Sequence, residues 1–256
     1  MALVAFGDVV FDADLVVFDK DGTLLDFEFM WGRLTEAWVE RLAAARKDRS
    51  LPQAIMEALG YDPEGHRTRP ESPLSIATTE QVQTIVAATL YRHGVGWSEA
   101  ETLSLSYYDR TVADLSLVDL IRTAGDVSGV LGQLRNSSIH VAIITTDHRA
   151  ETEETLHILQ VDHLIEVLYC GDDGIPWKPA PDTFLATCEQ LRVSPGRAVM
   201  VGDTLADLLM GQRAGAGLKV GVLSGAGDPA LLQRHADIVL RSIDEIKARL
   251  PQSLYI

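Results

Sequence analysis

Residues 15–24 read Leu15-Val-Val-Phe-Asp-Lys-Asp-Gly-Thr-Leu24. An unbroken run of four apolar residues closed by Asp19-Lys-Asp-Gly22 is the pattern of a strand buried on both faces that stops at a polar turn. Similar runs recur at Val141-Ala-Ile-Ile144, Ile165-Glu-Val-Leu-Tyr169, Ala198-Val-Met-Val201 and Val220-Gly-Val-Leu223. Between them, residues 126–135, 149–159, 181–191 and 205–214 place apolar side chains three and four apart, the period of a helix, with Pro181 suited to a first turn. Strand and helix alternating at this spacing predict an α/β fold, a Rossmann-like parallel sheet with helices on both faces. Ligands of such sheets sit beyond the carboxyl ends of the strands, so the residues just after each apolar run are the first candidates for function.

Residues 27–114 lack buried-strand runs and carry amphipathic segments at 31–45, 53–59, 79–93 and 97–111, with Thr79 as a candidate N-cap. They read as an all-helical insertion after the first strand, leaving 1–26 and 115–256 as the core. A Pro- and Gly-containing loop, residues 60–73, divides the insertion and carries His66, Arg67 and Arg69. Residues 3–14 suggest a small hairpin turning at Gly7-Asp8.

Composition narrows the function classes. Lys plus Arg number 22 against 37 Asp plus Glu, a net charge of −15, in a chain of 256 residues that is 46% hydrophobic. Disorder is a poor fit to that balance, and nucleic-acid binding, which needs clustered cations, is poorer still. Cys170 and Cys188 form no CxxC pair and sit in no zinc-ligand spacing, so neither a disulfide framework nor a structural zinc is expected. The N-terminus lacks a basic segment followed by a long apolar core, and no stretch approaches the ~18 apolar residues of a membrane span, so the expected setting is cytoplasmic, without membrane partners.

The residues at the strand ends are Asp19 and Asp21 after the first run, Thr145 and Thr146 after the second and Asp203 after the fourth. Lys178 precedes a helix, and Asp207 follows Asp203 by four. Carboxylates gathered on one sheet edge repel one another by several kcal/mol at low effective dielectric, so the cluster calls for a hard divalent cation. Magnesium takes oxygen ligands of this kind together with substrate phosphate. Carboxylate, magnesium, lysine and threonine together compose a phosphoryl-transfer site. In it an aspartate attacks phosphorus, and a second aspartate two residues on gives a proton to the departing oxygen and later takes one from water. Gly22 permits the sharp turn that brings both carboxylates to one point.

Asp19-Lys-Asp-Gly-Thr-Leu24, Thr145, Lys178-Pro-Ala-Pro-Asp182 and Gly202-Asp-Thr-Leu-Ala-Asp207 resemble the four ordered motifs of the haloacid dehalogenase superfamily of phosphatases. The resemblance implies a magnesium-dependent phosphatase of a small phosphorylated metabolite, working through an aspartyl-phosphate. It implies Asp19 as nucleophile and metal ligand, and Asp21 as general acid/base with its backbone carbonyl on the metal. Thr145 and Lys178 would bind phosphate, Asp203 would bind the metal, and Asp207 would be an outer or alternate ligand. From Asp19 to Thr145 is 145 − 19 = 126 residues, a gap that matches members, phosphoglycolate phosphatases among them, with a helical cap after the first motif. Loops of such caps read the leaving group, so His66, Arg67 and Arg69 join Gly22 and Thr146 as candidate substrate contacts. Lys20 stands where many relatives have an apolar residue; it is expected at the site entrance or paired with a cap carboxylate. A phosphomutase similar to β-phosphoglucomutase and a receiver-like phospho-accepting signalling protein are the competing readings. Either a monomer or a homodimer suits the chain.

Overall fold

The computed structural model describes residues 3–249. Its strands are β1 (Leu3–Phe6), β2 (Val9–Asp12), β3 (Leu15–Phe18), β4 (Tyr61–Asp62), β5 (Arg67–Thr68), β6 (His140–Ile144), β7 (Val167–Tyr169), β8 (Ala198–Gly202), β9 (Leu218–Val222), β10 (Ile238–Leu240) and β11 (Ile246–Arg249). Its helices are α1 (Arg33–Arg46), α2 (Leu51–Leu59), α3 (Pro73–Ile76), α4 (Thr79–Arg92), α5 (Trp97–Asp114), α6 (Leu117–Leu120), α7 (Val127–Asn136), α8 (Arg149–Ile158), α9 (Asp182–Leu191), α10 (Leu205–Ala214) and α11 (Pro229–His235). The chain divides into two compact units, Phe27–Arg122 and the remainder on either side of it.

In the core unit six parallel strands run in the order β10-β9-β8-β3-β6-β7. All four residues of β3 are fully buried, as a central strand covered on both faces requires. Successive side chains point to opposite faces. Val16 and Phe18 therefore join Leu131, Leu134 and Leu156 from α7 and α8 on one face. Leu15 and Val17 join Phe184, Met210 and Ala214 from α9 and α10 on the other. The N-terminal hairpin is present: β1 and β2 pair antiparallel through Gly7, whose φ of 55° is open to glycine at little steric cost. Beyond the expectation, β11 pairs with the other edge of β1, making a second, three-stranded sheet. Arg197 fixes this hairpin to the sheet, its guanidinium reaching both Asp12 and Asp14.

The second unit departs from the all-helical expectation in two places. Its first turn, Glu28–Gly32, is a π-helix, and the central loop closes into a two-residue hairpin, β4 with β5. Glu28 stabilises that hairpin by accepting from the Thr68 backbone N–H at 2.8 Å and its hydroxyl at 2.9 Å. Helix α4 is capped by Thr78 rather than Thr79, because Thr78 is extended and exchanges hydrogen bonds with Gln81 in a capping box. Trp38 and Tyr108 pack edge to face in the core of this unit, ring centroids 5.2 Å apart. The unit ends at Arg122 rather than at 114, since α6 belongs to it and the Arg122 guanidinium lies 4.2 Å from the centre of the Phe29 ring. Among the described residues no helix is long and apolar enough to cross a membrane.

Candidate active site

Strand register places the candidate residues. Phe18 is level with Ile143 of β6 and Val201 of β8, so Asp19, Thr145 and Asp203 emerge at the carboxyl ends of three adjacent strands. The Asp19 N–H donates to the Val201 carbonyl at 2.9 Å, which extends the ladder one residue into the site. The turn after it is held from within, the N–H groups of Leu24 and Leu25 both donating to the Lys20 carbonyl. It is held from outside by the Ser224 hydroxyl, which donates to the Gly22 carbonyl at 2.8 Å. Gly22 has φ 83°, and a Cβ there would lie 2.5 Å from an Asp203 carboxylate oxygen, so the turn needs glycine for both conformation and space.

Lys178 is the cation of the site. It sits in a turn closed by the Ala180 N–H donating to the Trp177 carbonyl at 2.7 Å and tied to α10 by the Arg213 guanidinium on the Pro179 carbonyl. Its buried ammonium lies 2.5 Å from Asp19 Oδ1 and 2.7 Å from Asp207 Oδ1. Burial pushes the Lys178 pKa down, but the Asp19 and Asp207 charges more than offset it and keep the ammonium protonated. Burial raises the Asp19 carboxyl to about 6, Lys178 opposing the rise and Asp207 adding to it. At neutral pH it is therefore ionised. Asp203 is buried beside Asp19 and Asp207 and is raised well above the ordinary carboxylate range, burial being the main cause.

Asp207 does two jobs that the sequence presents as alternatives. Its Oδ2 accepts from the Thr204 N–H at 3.0 Å and the Thr204 hydroxyl at 2.5 Å, closing the capping box of α10. Its buried Oδ1 meets the Lys178 ammonium as an ion pair. Asp19, Asp203 and Asp207 each offer an oxygen, all within 4.8 Å of one another. Three buried carboxylates against one ammonium leave negative charge uncompensated. That donor set suits a hard divalent cation.

Asp203 is gripped by residues the sequence reading missed. Thr23 Oγ1 donates to its Oδ1 at 3.3 Å, and the Ala226 N–H donates to its Oδ2 at 3.0 Å. The loop after β9 approaches closely because Gly225 and Gly227 have no Cβ; one at Gly225 would lie 2.0 Å from Asp203 Oδ2. The only sequence signal was Gly225-Ala-Gly227 following a strand, the position where α/β sheets place ligands. Gly225→Ala is expected to displace the Asp203 carboxylate and weaken divalent-metal affinity at least tenfold with the fold retained, measured by metal titration calorimetry.

The remaining candidates fall into two groups. Thr145 is buried after β6, its hydroxyl accepting from the Asp147 N–H at 3.2 Å, while Thr146 is exposed. The Asp21 carboxylate lies outside the three-carboxylate cluster and accepts from the Lys20 ammonium at 2.6 Å. Lys20, expected at an entrance or on a cap carboxylate, is buried instead, and its second partner is Asp147 of the core unit at 2.6 Å. At the start of α8 the Asp172 carboxylate accepts from the Arg149 N–H at 2.9 Å. Burial raises Asp147 to about 7, Asp21 adding to the rise and Lys20 opposing it. In the second unit, His66 Nδ1 lies 3.0 Å from Glu36 Oε1, and the Arg69 guanidinium donates to the Glu57 carbonyl at 2.9 Å. Arg67 is exposed on β5.

Comparison with known proteins agrees with this geometry. The family model for haloacid dehalogenase-like hydrolases matches residues 13–215. The chain is 26% identical to a validoxylamine A 7'-phosphate phosphatase of Streptomyces hygroscopicus subsp. limoneus, over 91% of this chain and 95% of that one. It is 26% identical to the phosphoglycolate phosphatase of Neisseria meningitidis serogroup A, over 92% of each. A crystal structure of a predicted phosphoglycolate phosphatase from Haemophilus somnus 129PT shares the fold, with a TM-score of 0.70 at 17% identity, covering 91% of this chain and 95% of that one. The ordered motifs at the sheet edge, the parallel sheet that carries them and the family match together place this chain among the haloacid dehalogenase-like hydrolases.

Proposed function

We propose that this hydrolase is a magnesium-dependent phosphatase of small phosphorylated metabolites acting through an aspartyl-phosphate on Asp19. The observation that carries the reading is the buried Asp19–Lys178–Asp207 ion-pair cluster beside Asp203. A structural salt-bridge network has no need of a third buried carboxylate beside the two that already pair with the ammonium. The names of the curated relatives, phosphatases of validoxylamine A 7'-phosphate and of phosphoglycolate, support the same substrate class. Two free, buried cysteines fit the reducing cytoplasm expected from the sequence.

Asp19, Asp203 and Asp207 would hold magnesium, with the Asp21 backbone carbonyl as a further ligand; when bound, the ion neutralises the carboxylates and the phosphoryl oxygens. Lys178 fixes the Asp19 carboxylate and, with the Thr145 hydroxyl, holds the phosphoryl group. An Asp19 oxygen forms a bond to phosphorus as the ester P–O bond breaks, and the departing oxygen takes its proton from Asp21. Asp21, now a carboxylate, accepts a proton from the water that attacks the aspartyl-phosphate. Inorganic phosphate leaves, and Asp19 and protonated Asp21 are restored.

The test is inorganic phosphate release from a panel of phosphorylated metabolites with and without magnesium. Release that requires magnesium supports the reading; transfer of phosphate between hydroxyls without net release would assign the chain to the mutases. A pH-dependent metal effect is expected as well. In the metal-free protein Asp19 has a pKa of about 6, above the ~3.9 of an unfolded aspartate. The folded state thus binds the extra proton between those values, and its stability falls as pH rises through that window. Above pH 6 that proton is gone and magnesium meets no competition for Asp19, whereas below pH 6 ion and proton compete for the same carboxylate. The rise in Tm on adding magnesium should therefore be larger at pH 7.5 than at pH 5, as thermal unfolding can measure; an equal rise at both would contradict the assignment.

A further inference from the structure

Lys20 lies between the two aspartates of the first motif, and its side chain is 2% exposed. Its ammonium touches Asp21 Oδ1 and Asp147 Oδ2, each at 2.6 Å. Asp147 is itself fixed: its N–H donates to Thr145 Oγ1, and its carbonyl accepts from the Gly171 N–H at 2.8 Å. Gly171 lets that contact form, since a Cβ there would lie 2.1 Å from the Thr146 carbonyl oxygen. The other end is equally rigid, because the Lys20 carbonyl accepts from both Leu24 and Leu25. A cation buried between two anchored turns therefore ends on the carboxyl of Asp21, which is 13% exposed and so reaches the open side that Lys20 does not.

Neutralising a buried lysine needs one carboxylate, and Asp147 alone would do it. The second contact constrains the Asp21 carboxyl, whose terminal torsion is intrinsically broad. We propose that Lys20, anchored by Asp147, is a positioning residue that holds the Asp21 carboxyl where it delivers its proton to the departing oxygen. This rests on the reading of Asp21 as general acid. Misplacement of a catalytic group by about 1 Å costs on the order of 10²-fold in rate.

The test compares kcat/KM, which reports the step in which the leaving group departs, for an alkyl phosphate and for p-nitrophenyl phosphate. An alkoxide needs the proton; p-nitrophenolate leaves without one. Lys20→Met alone strands the Asp147 charge and threatens folding, so the deciding variant is Lys20→Met/Asp147→Leu, in which both charges go and the branched shape at 147 is kept. The double variant is expected to unfold near the parent temperature, to lose about 30- to 100-fold on the alkyl phosphate and to lose less than about 3-fold on p-nitrophenyl phosphate. Equal losses on the two substrates, or parent rates on both, overturn the assignment. Asp21→Asn is measured alongside: if it too loses activity equally on both substrates, the general-acid reading fails and takes the assignment with it. A leaving-group-dependent loss in Asp21→Asn but not in the double variant removes Lys20 alone.

Discussion

Asp19→Asn is expected to remove phosphate release altogether, by about 10⁴-fold or more, the size of loss seen when a covalent nucleophile is deleted. The substitution is nearly isosteric, and Asp19 is buried with a raised pKa, so its ionised form is one that folding tolerates at a cost. Removing that charge should leave the protein as stable as the parent or more so in the absence of metal. Lys178 keeps one carboxylate partner in Asp207 at 2.7 Å. The expected signature is therefore an inactive protein with an undiminished metal-free Tm. Rapid-quench trapping of phosphoprotein should show a labelled intermediate in the parent and none in the variant. Turnover within tenfold of the parent would mean that another group attacks phosphorus, and the aspartyl-phosphate route through Asp19 would be wrong.

How much of this was legible beforehand follows from the range of the forces involved. The β3 run was readable because a strand buried on both faces has no polar face, and its boundary fell at Asp19 because a buried run cannot continue into two carboxylates. Lys178 was readable only through its motif; no local pattern distinguishes it from a surface lysine, and what makes it a site residue is the meeting of β3 and α10 around it. Strand β11 was missed because Lys247 and Arg249 break its apolar run and it is specified by its partner β1 at the other end of the chain. The Lys20–Asp147 pair joins residues far apart in sequence, so nothing near Lys20 announces that it is buried. Asp207 was read as either cap or ligand because a sequence offers one residue one role. A carboxylate has two oxygens, and here Oδ2 caps the helix while Oδ1 faces the cluster.

Lys178→Met carries the second large expectation, and it separates stability from catalysis. The ammonium is the positive charge shared by Asp19 and Asp207, and both it and they are buried. Deleting one partner of a buried ion pair while leaving the other charged costs about 3–5 kcal/mol. For a chain of this size that corresponds to a fall in Tm on the order of 10 °C. The loss should depend on pH with a definite sign. Without Lys178 the term that lowers the Asp19 pKa is gone, so the folded-state value rises further above the unfolded one. The variant then becomes less stable as pH rises through and beyond 6, and regains stability as the carboxylates protonate below it. Magnesium supplies part of the missing positive charge, so it should raise the Tm of Lys178→Met by more than it raises the parent's at pH 7.5. Activity should not return with it, because the ion does not restore the ammonium that orients Asp19. A variant whose Tm matches the parent's and is indifferent to magnesium would mean that the three carboxylates are not a metal cluster held in balance by Lys178.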